Sequence, residues 1–271
     1  MVKKKYDFIF VVLTYRNYKD LEDFFASLCF CEATHKVIVV NAFYDEESNE
    51  IIKKIAENHE ADFIKIENLG YGYGNNKGIE FAKVNYQFDF LIVSNPDIEI
   101  RKMRIKDLTG FENAVIAPKI ECLSGKMQNP MFYKKSNIAL KMIYKGLKEK
   151  KNFLFVAGCA INKCIRICGI LVSGLKGKNG FLRIYQAHGS FVIFSRAVLE
   201  KFNNVYDEKI FLFAEECYLA KMLEDKNIST FYNSNIYVFH KEDGSMQYRT
   251  DISEQMVTSN VYVYEKYYHF K

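Results

Sequence analysis

The stretch YDFIFVVLTYRNYKDLEDFFASL, residues 6–28, decides the fold. Over residues 7–13 nearly every side chain is apolar, which predicts a strand buried on both faces. The run breaks into the polar turn Thr14-Tyr15-Arg16-Asn17. Residues 18–28 then carry Leu21, Phe24, Phe25 and Leu28 at helical spacing, so one stripe faces a core. The unit repeats. Residues 36–40, 62–66 and 88–93 read as strands, and residues 45–58 and 74–84 as the helices between them. Strands alternating with helices predict an α/β fold: a Rossmann-like, mostly parallel central sheet flanked by helices on both faces. Ligands of such sheets bind beyond the carboxyl ends of the strands. The polar clusters fall there: Thr14 to Asn17, Asn41, Asn68 to Gly70, and Ser94 to Asp97.

The second half follows a looser pattern. Residues 114–118 read as a short strand and 121–128 as a hairpin turning at Ser124-Gly125. Strands are expected at 189–194, 230–232 and 236–239, and helices at 197–202, 215–224 and 253–271. Residues 136–180 are basic and apolar, with Glu149 as their one acid.

With 271 residues, 49% of them apolar, the chain has material for a large core. A net charge of +5 does not demand nucleic acid, and suits anionic lipid or a phosphorylated ligand as well. The seven cysteines form no CxxC pair, which argues against a zinc site and fits a reducing cytoplasm. The N-terminal apolar run, about eight residues long, suits a buried first strand better than a signal or a membrane span.

Five motifs carry the chemistry. The polar strand ends can read a base and a ribose. NLGYGYGNNKG, residues 68–78, offers glycines that let a backbone approach a diphosphate. Its spacing and its place after the third strand fail the dinucleotide fingerprint, which excludes a hydride-transfer enzyme. In SNPDIEI, residues 94–100, an apolar strand delivers Asp97 to the sheet edge, where one carboxylate can hold a divalent cation against a diphosphate. FLFAEECYLAKML, residues 211–223, ends an apolar run in Glu215 and Glu216 at a helix start. Paired carboxylates repel, so one holds its proton more tightly and serves as a base near neutral pH. His240, in YVFHKEDGS, closes an apolar strand where a further metal or phosphate ligand could arrive.

In this order, the pieces VVLTYRNYKDLEDFFASL, VIVVNA, ENLGYGYGNNKGIEFA, FLIVSNPDIEI, APKI, HGSFVIFSRAVLEKF, YDEKIFLFAEECYLAKML and NIYVFHKEDGS resemble the family 2 glycosyltransferases with the GT-A fold. The nearest likeness is to the bacterial branch of rhamnosyl- and galactofuranosyltransferases. The resemblance implies an inverting hexosyltransferase using a nucleotide-diphosphate-sugar donor and a divalent cation, Mn2+ or Mg2+. It implies a glycan or lipid-linked acceptor, in bacterial cell-surface polysaccharide synthesis. Asp97 would be the metal-holding acid, with Asn95 in place of the motif's first acid. Thr14, Tyr15, Asn17 and Asn41 would line the nucleoside pocket, and Asn76 would lie near the donor. Glu216 would be the base and Glu215 its supporting acid, with Tyr218 where a further acid often stands. His240 would bind metal or diphosphate.

On this reading residues 1–245 form the transferase domain, the 136–180 insertion builds a smaller acceptor-side region, and 246–271 are a helical tail. The protein would be cytoplasmic, with a peripheral contact to anionic membrane on the inner face. A spanning helix is excluded there because Lys163 and Arg166 interrupt the apolar run. Two alternatives stand beside this reading. A catalytically degenerate nucleotide- or glycan-binding module would keep the fold without turnover. A nucleotidyltransferase would want a glycine-rich basic loop after the first strand, where TYRNYKD stands.

Overall fold

The computed structural model describes residues 3–173, 180–242 and 252–271. In chain order its elements are β1 (Lys4–Thr14), α1 (Tyr18–Ser27), β2 (Cys31–Glu32), β3 (His35–Ala42), α2 (Glu46–Asn58), β4 (Asp62–Ile66), α3 (Tyr71–Asn85), β5 (Tyr86–Ser94), β6 (Ile98–Arg104), β7 (Val115–Cys122), α4 (Asn137–Lys148), α5 (Asn152–Ser173), β8 (Phe181–Ile184), β9 (Phe191–Ser195), α6 (Arg196–Leu199), α7 (Glu215–Asp225), β10 (Thr230–His240) and α8 (Ile252–Lys266). The strands form one sheet in the order β2-β6-β10-β7-β9-β5-β1-β3-β4, with β8 on β10. β4, β3, β1 and β5 are parallel, as the repeating unit requires. β9 then runs antiparallel between β5 and β7. β10 is parallel to β7 and antiparallel to β6.

The period-two alternation of β1 feeds two cores. Phe8, Phe10 and Val12 pack with Leu21, Phe24 and Ile52 under α1 and α2. Ile9 and Val11 pack on the other face with Ile79 of α3 and Leu219 of α7. Each such side chain, fully buried, contributes about 1.5–3 kcal/mol. α2 starts where Asp45 accepts the Ser48 N–H at 2.8 Å, which satisfies an otherwise orphaned donor. α3 can lie close on the sheet only because it is glycine-rich. A Cβ on Gly78 would stand 2.3 Å from Val11 Cγ1, and one on Gly74 2.4 Å from Leu13 Cδ1.

The insertion and the tail are not separate bodies. Leu140, Tyr144 and Leu147 of α4 share a third cluster with Cys217 and Tyr218 of α7 and with Val263, Tyr264 and Tyr268 of the C-terminal segment. Four strands differ from expectation, two of them the short β2 and β8, which the sequence did not suggest. Residues 98–104 pair as β6, because Ile98, Ile100 and Met103 are buried between charged neighbours. Residues 230–240 form one strand, not two. The register shifts after Asn233, whose Oδ1 accepts the Asn235 N–H at 2.9 Å, so a side chain substitutes for the ladder there. The boundary expected at 245/246, with Gly244 and Ser245, lies outside the described residues.

Gly78→Ala will lower stability although alanine is the better helix former by about 1 kcal/mol, because overpacking costs about 1–3 kcal/mol. Val11→Ala removes the clashing methyl. Urea melts will show Val11→Ala/Gly78→Ala less destabilised than the sum of the two single changes.

Candidate active site

The carboxyl edge of the sheet gathers three groups of side chains. The first sits at the ends of β1 and β3, where Thr14 and Asn41 are register partners. Both are buried, and Thr14 Oγ1 donates to Asn41 Oδ1 at 3.4 Å while Asn41 Nδ2 donates to Asn49 at 3.1 Å. Tyr15 meets Tyr44 edge-on, with ring centroids 5.7 Å apart, and the Arg16 guanidinium covers Tyr44 at 3.9 Å. Asn17 opens α1 and donates to the Asp20 carboxylate. β5 ends alongside, since Val12 pairs with Ser94.

The second group surrounds Asp97. Its carboxylate is 2% exposed, Oδ1 has no hydrogen-bond partner, and Oδ2 lies 3.3 Å from His240 Nε2. His240 Nδ1 is 2.8 Å from Gln128 Oε1; a proton held there leaves Nε2 as the acceptor facing Asp97. The His188 ring stands 5.7 Å from that of His240. Burial and the neighbouring His240 push His188 down to about 4, against the pull of Asp97, so it is a neutral ring at physiological pH. The main chain fixes this loop: Asn95 N–H donates to Ser190 O at 2.9 Å, and His188 N–H to Asn129 Oδ1 at 2.8 Å. Beyond His240, Lys241 bridges Asp20, Asp23 and Glu99 and so ties β10 to the start of α1. Burial lowers its affinity for a proton, but Asp23 and Asp20 outweigh that and hold it firmly charged.

The third group is the acid pair at the start of α7. Phe213 and Ala214, at φ 67° and 66°, are two successive non-glycine residues in the left-handed region, a costly turn that delivers the acids. Glu215 points inward and is buried, with Oε1 unpartnered. Burial, then repulsion from Glu216, raises its carboxyl well above the usual range. Glu216 is half-buried and accepts the Gly189 N–H at 3.3 Å. Burial raises its carboxyl too, against hydrogen bonds from its own backbone and from Gly189. The Gly189 turn therefore carries Glu216 on one side and leads through His188 to His240 and Asp97 on the other.

One expectation changes, at residues 70–78. Asn76, expected near the donor, is engaged within the protein: its amide donates to Tyr206 O and Glu208 and accepts from Val205 and Tyr206 N–H, clamping α3 to the 205–208 loop. The glycines at 70–78 are packing devices. Tyr71 N–H is taken by Phe211 O at 2.8 Å, and a Cβ on Gly70 would meet the Phe211 backbone. His188, Gln128 and Lys241 stand beside these groups and were not singled out in the sequence. For His188 the HGS triplet before a strand was a usable signal; an amide at a hairpin end gave none. Among the described residues no cluster of three or more metal-ligating side chains occurs.

This edge belongs to a known architecture: the chain has the GT-A glycosyltransferase fold, as its resemblance implied. It superposes on Staphylococcus aureus TarS residues 1–349 in complex with UDP-GlcNAc, at a TM-score of 0.54 and 14% identity, covering 90% of this chain and 61% of that one. It also superposes on GalNAc-T7 with UDP, GalNAc and Mn2+, at a TM-score of 0.61 and 11% identity, covering 98% of this chain and 49% of that one. In sequence it is 24% identical over 224 residues to the low-salt glycan biosynthesis hexosyltransferase Agl10 of Haloferax volcanii. That match takes in 79% of this chain and 62% of Agl10, so the chain spans about three fifths of the curated relative it matches. No family model matches the chain.

Glu215 gives a pH test of the geometry. A carboxyl raised in the folded state stabilises the fold fully below its unfolded pKa of about 4.3, and that contribution is lost as pH rises through the folded value. Glu215→Gln keeps the neutral shape and removes the loss. Its melting temperature relative to wild type will climb as pH rises above the unfolded carboxyl value of about 4.3. A constant difference over that range would contradict a raised Glu215.

Proposed function

We propose that the protein is a metal-dependent, inverting glycosyltransferase that passes a sugar from a nucleotide-diphosphate-sugar to a hydroxyl of a glycan or lipid-linked acceptor. One observation carries the reading. Within a GT-A frame, a proton-hungry carboxylate, Glu216, and the Asp97–His240 pair flank one backbone turn, residues 188–190. The hexosyltransferase relative and the UDP-GlcNAc held by TarS support the donor class. Agl10 is named for glycan biosynthesis, which supports a role in building a glycan.

The residues present fit a divalent cation. Asp97 offers a buried oxygen without a partner, and His240 offers Nε2 with its other nitrogen at Gln128. One carboxylate and one imidazole leave room for diphosphate oxygens, the donor set such an ion favours in nucleotide sites. When bound, the cation offsets the negative charge that develops on the departing diphosphate. Thr14, Asn41 and Tyr15 line the nucleoside end of the same edge. Asn17 and Asn95 shape the turns that bring α1 and Asp97 to it. Glu216 accepts the proton of the acceptor hydroxyl as it attacks the anomeric carbon from the face opposite the diphosphate, which inverts that centre. Burial keeps the Glu216 proton affinity high, and the charge on Glu216 helps to hold the buried Glu215 in its neutral form.

Transfer from a UDP-hexose, followed by NMR, will give product of inverted anomeric configuration. Glu216→Gln will lower turnover by about 10²–10⁴-fold with donor affinity retained. The acid limb of kcat/KM will lie above the ordinary glutamate range, because Glu216 must be ionised to act. Wild-type turnover by Glu216→Gln, or a product of retained configuration, would overturn the mechanism.

A further inference from the structure

α5 is 22 residues long, and over Asn152–Val172 its mean hydropathy is 1.7. By length and composition it could cross a membrane, contrary to the reading that Lys163 and Arg166 exclude it. Its contacts say otherwise. One side is held to the protein along its whole length. A Cβ on Gly158 would stand 2.8 Å from Ala139 O, and Gly169 lies against the Tyr133 ring. Asn162 donates to Met131 O at 3.1 Å and Arg166 to Pro130 O at 3.3 Å. The helix therefore lies along the body. The opposite side exposes Phe153, Val156, Ile167 and Leu171, with Ala160 and Cys164 between them, an apolar stripe about 27 Å long at 1.5 Å per residue. Only 6% of the Asn152–Val172 window is buried.

Charge identifies what covers it. No acid occurs between Glu149 and Glu200, while Lys150 and Lys163 are exposed at the end and the middle of the stripe. The lysines of the helical hairpin are less free than the sequence suggests, since Lys148 pairs with Glu265 and Lys151 with Glu149. The stripe is thus the principal contact. A second copy is a poor occupant, because two stripes face to face about their midpoint set Lys163 against Lys163. A lipid surface accommodates Lys163, whose stem lies along the apolar side while its ammonium reaches a headgroup.

We propose that the outer stripe of α5 docks the protein flat on an anionic lipid bilayer, so that the acceptor reaches the cleft from the membrane. The helix rests on residues 130–133, next to Gln128 and Asn129, which hold His240 and His188. The acceptor clause rests on the transferase reading; the docking does not.

Flotation of the full chain with phosphatidylcholine vesicles, with and without phosphatidylglycerol, tests it. Wild type will float with the anionic vesicles and less so at high salt. Val156→Glu/Ile167→Glu will float at least about tenfold less, while UDP-hexose hydrolysis without vesicles is unchanged. Flotation without any donor turnover supports the docking and removes only the acceptor clause. Equal flotation of wild type and variant, no flotation of wild type, or a wild-type dimer by light scattering that the double change dissolves would each overturn the proposal.

Discussion

The antiparallel insertion of β9 between β5 and β7 is the constraint on which the site depends. β9 begins where β5 ends, so the loop before one and the turn after the other must be neighbours. The bond from Asn95 N–H to Ser190 O closes that junction and sets residues 188–190 beside Asp97. Gly189 then receives Glu216 on its N–H, and its carbonyl accepts the Tyr71 hydroxyl at 2.9 Å. A Cβ at this position would stand 2.8 Å from Glu216 Oε1, so the acid and the turn approach each other only because residue 189 is glycine. Glu216 on one side and the Asp97–His240 pair on the other are thereby tied to a single backbone loop.

The C-terminal segment contributes through the same loop system. The left-handed turn at Phe213 and Ala214 carries strain of about 1–3 kcal/mol per residue. Packing offsets it: Ser259 of α8 donates to Leu212 O at 2.7 Å, and Ala214 is buried among the α4, α7 and α8 side chains. Further along, Asp207 is opposed by burial yet drawn down to about 2 by the hydroxyls of Tyr267 and Tyr262 and by Lys266. The tyrosine-rich tail thus fixes the loop that runs from the Asn76 clamp to the acid pair.

Much of this was legible in the chain. The parallel half of the sheet follows from uninterrupted apolar runs and the helical spacing of Leu21, Phe24 and Phe25, which local periodicity specifies. The position of Asp97, Glu215, Glu216 and His240 was legible because each ends an apolar run, and runs end at a sheet edge. What stayed hidden depends on partners remote in sequence. The glycines of 70–78 suggest a phosphate cradle until Phe211 occupies their neighbourhood. The engagement of the Asn76 amide by a loop 130 residues on leaves no local trace in the sequence. β6 alternates correctly, yet its charged outer residues make it resemble a loop. Lys163 and Arg166 seemed to rule out a membrane helix by charge alone, whereas the contacts that lay α5 along the protein come from residues 130–133.

The central claim is that Asp97 and His240 hold a cation against the diphosphate of a nucleotide. Isothermal titration of UDP, GDP and dTDP, with manganese and with chelator, measures it directly. At least one nucleotide will bind wild type more tightly with manganese, and Asp97→Asn and His240→Ala will each lose that gain by about tenfold or more, removing about 1.4 kcal/mol of binding. Equal affinity with manganese and with chelator, or full manganese-dependent affinity in Asp97→Asn, would contradict the account.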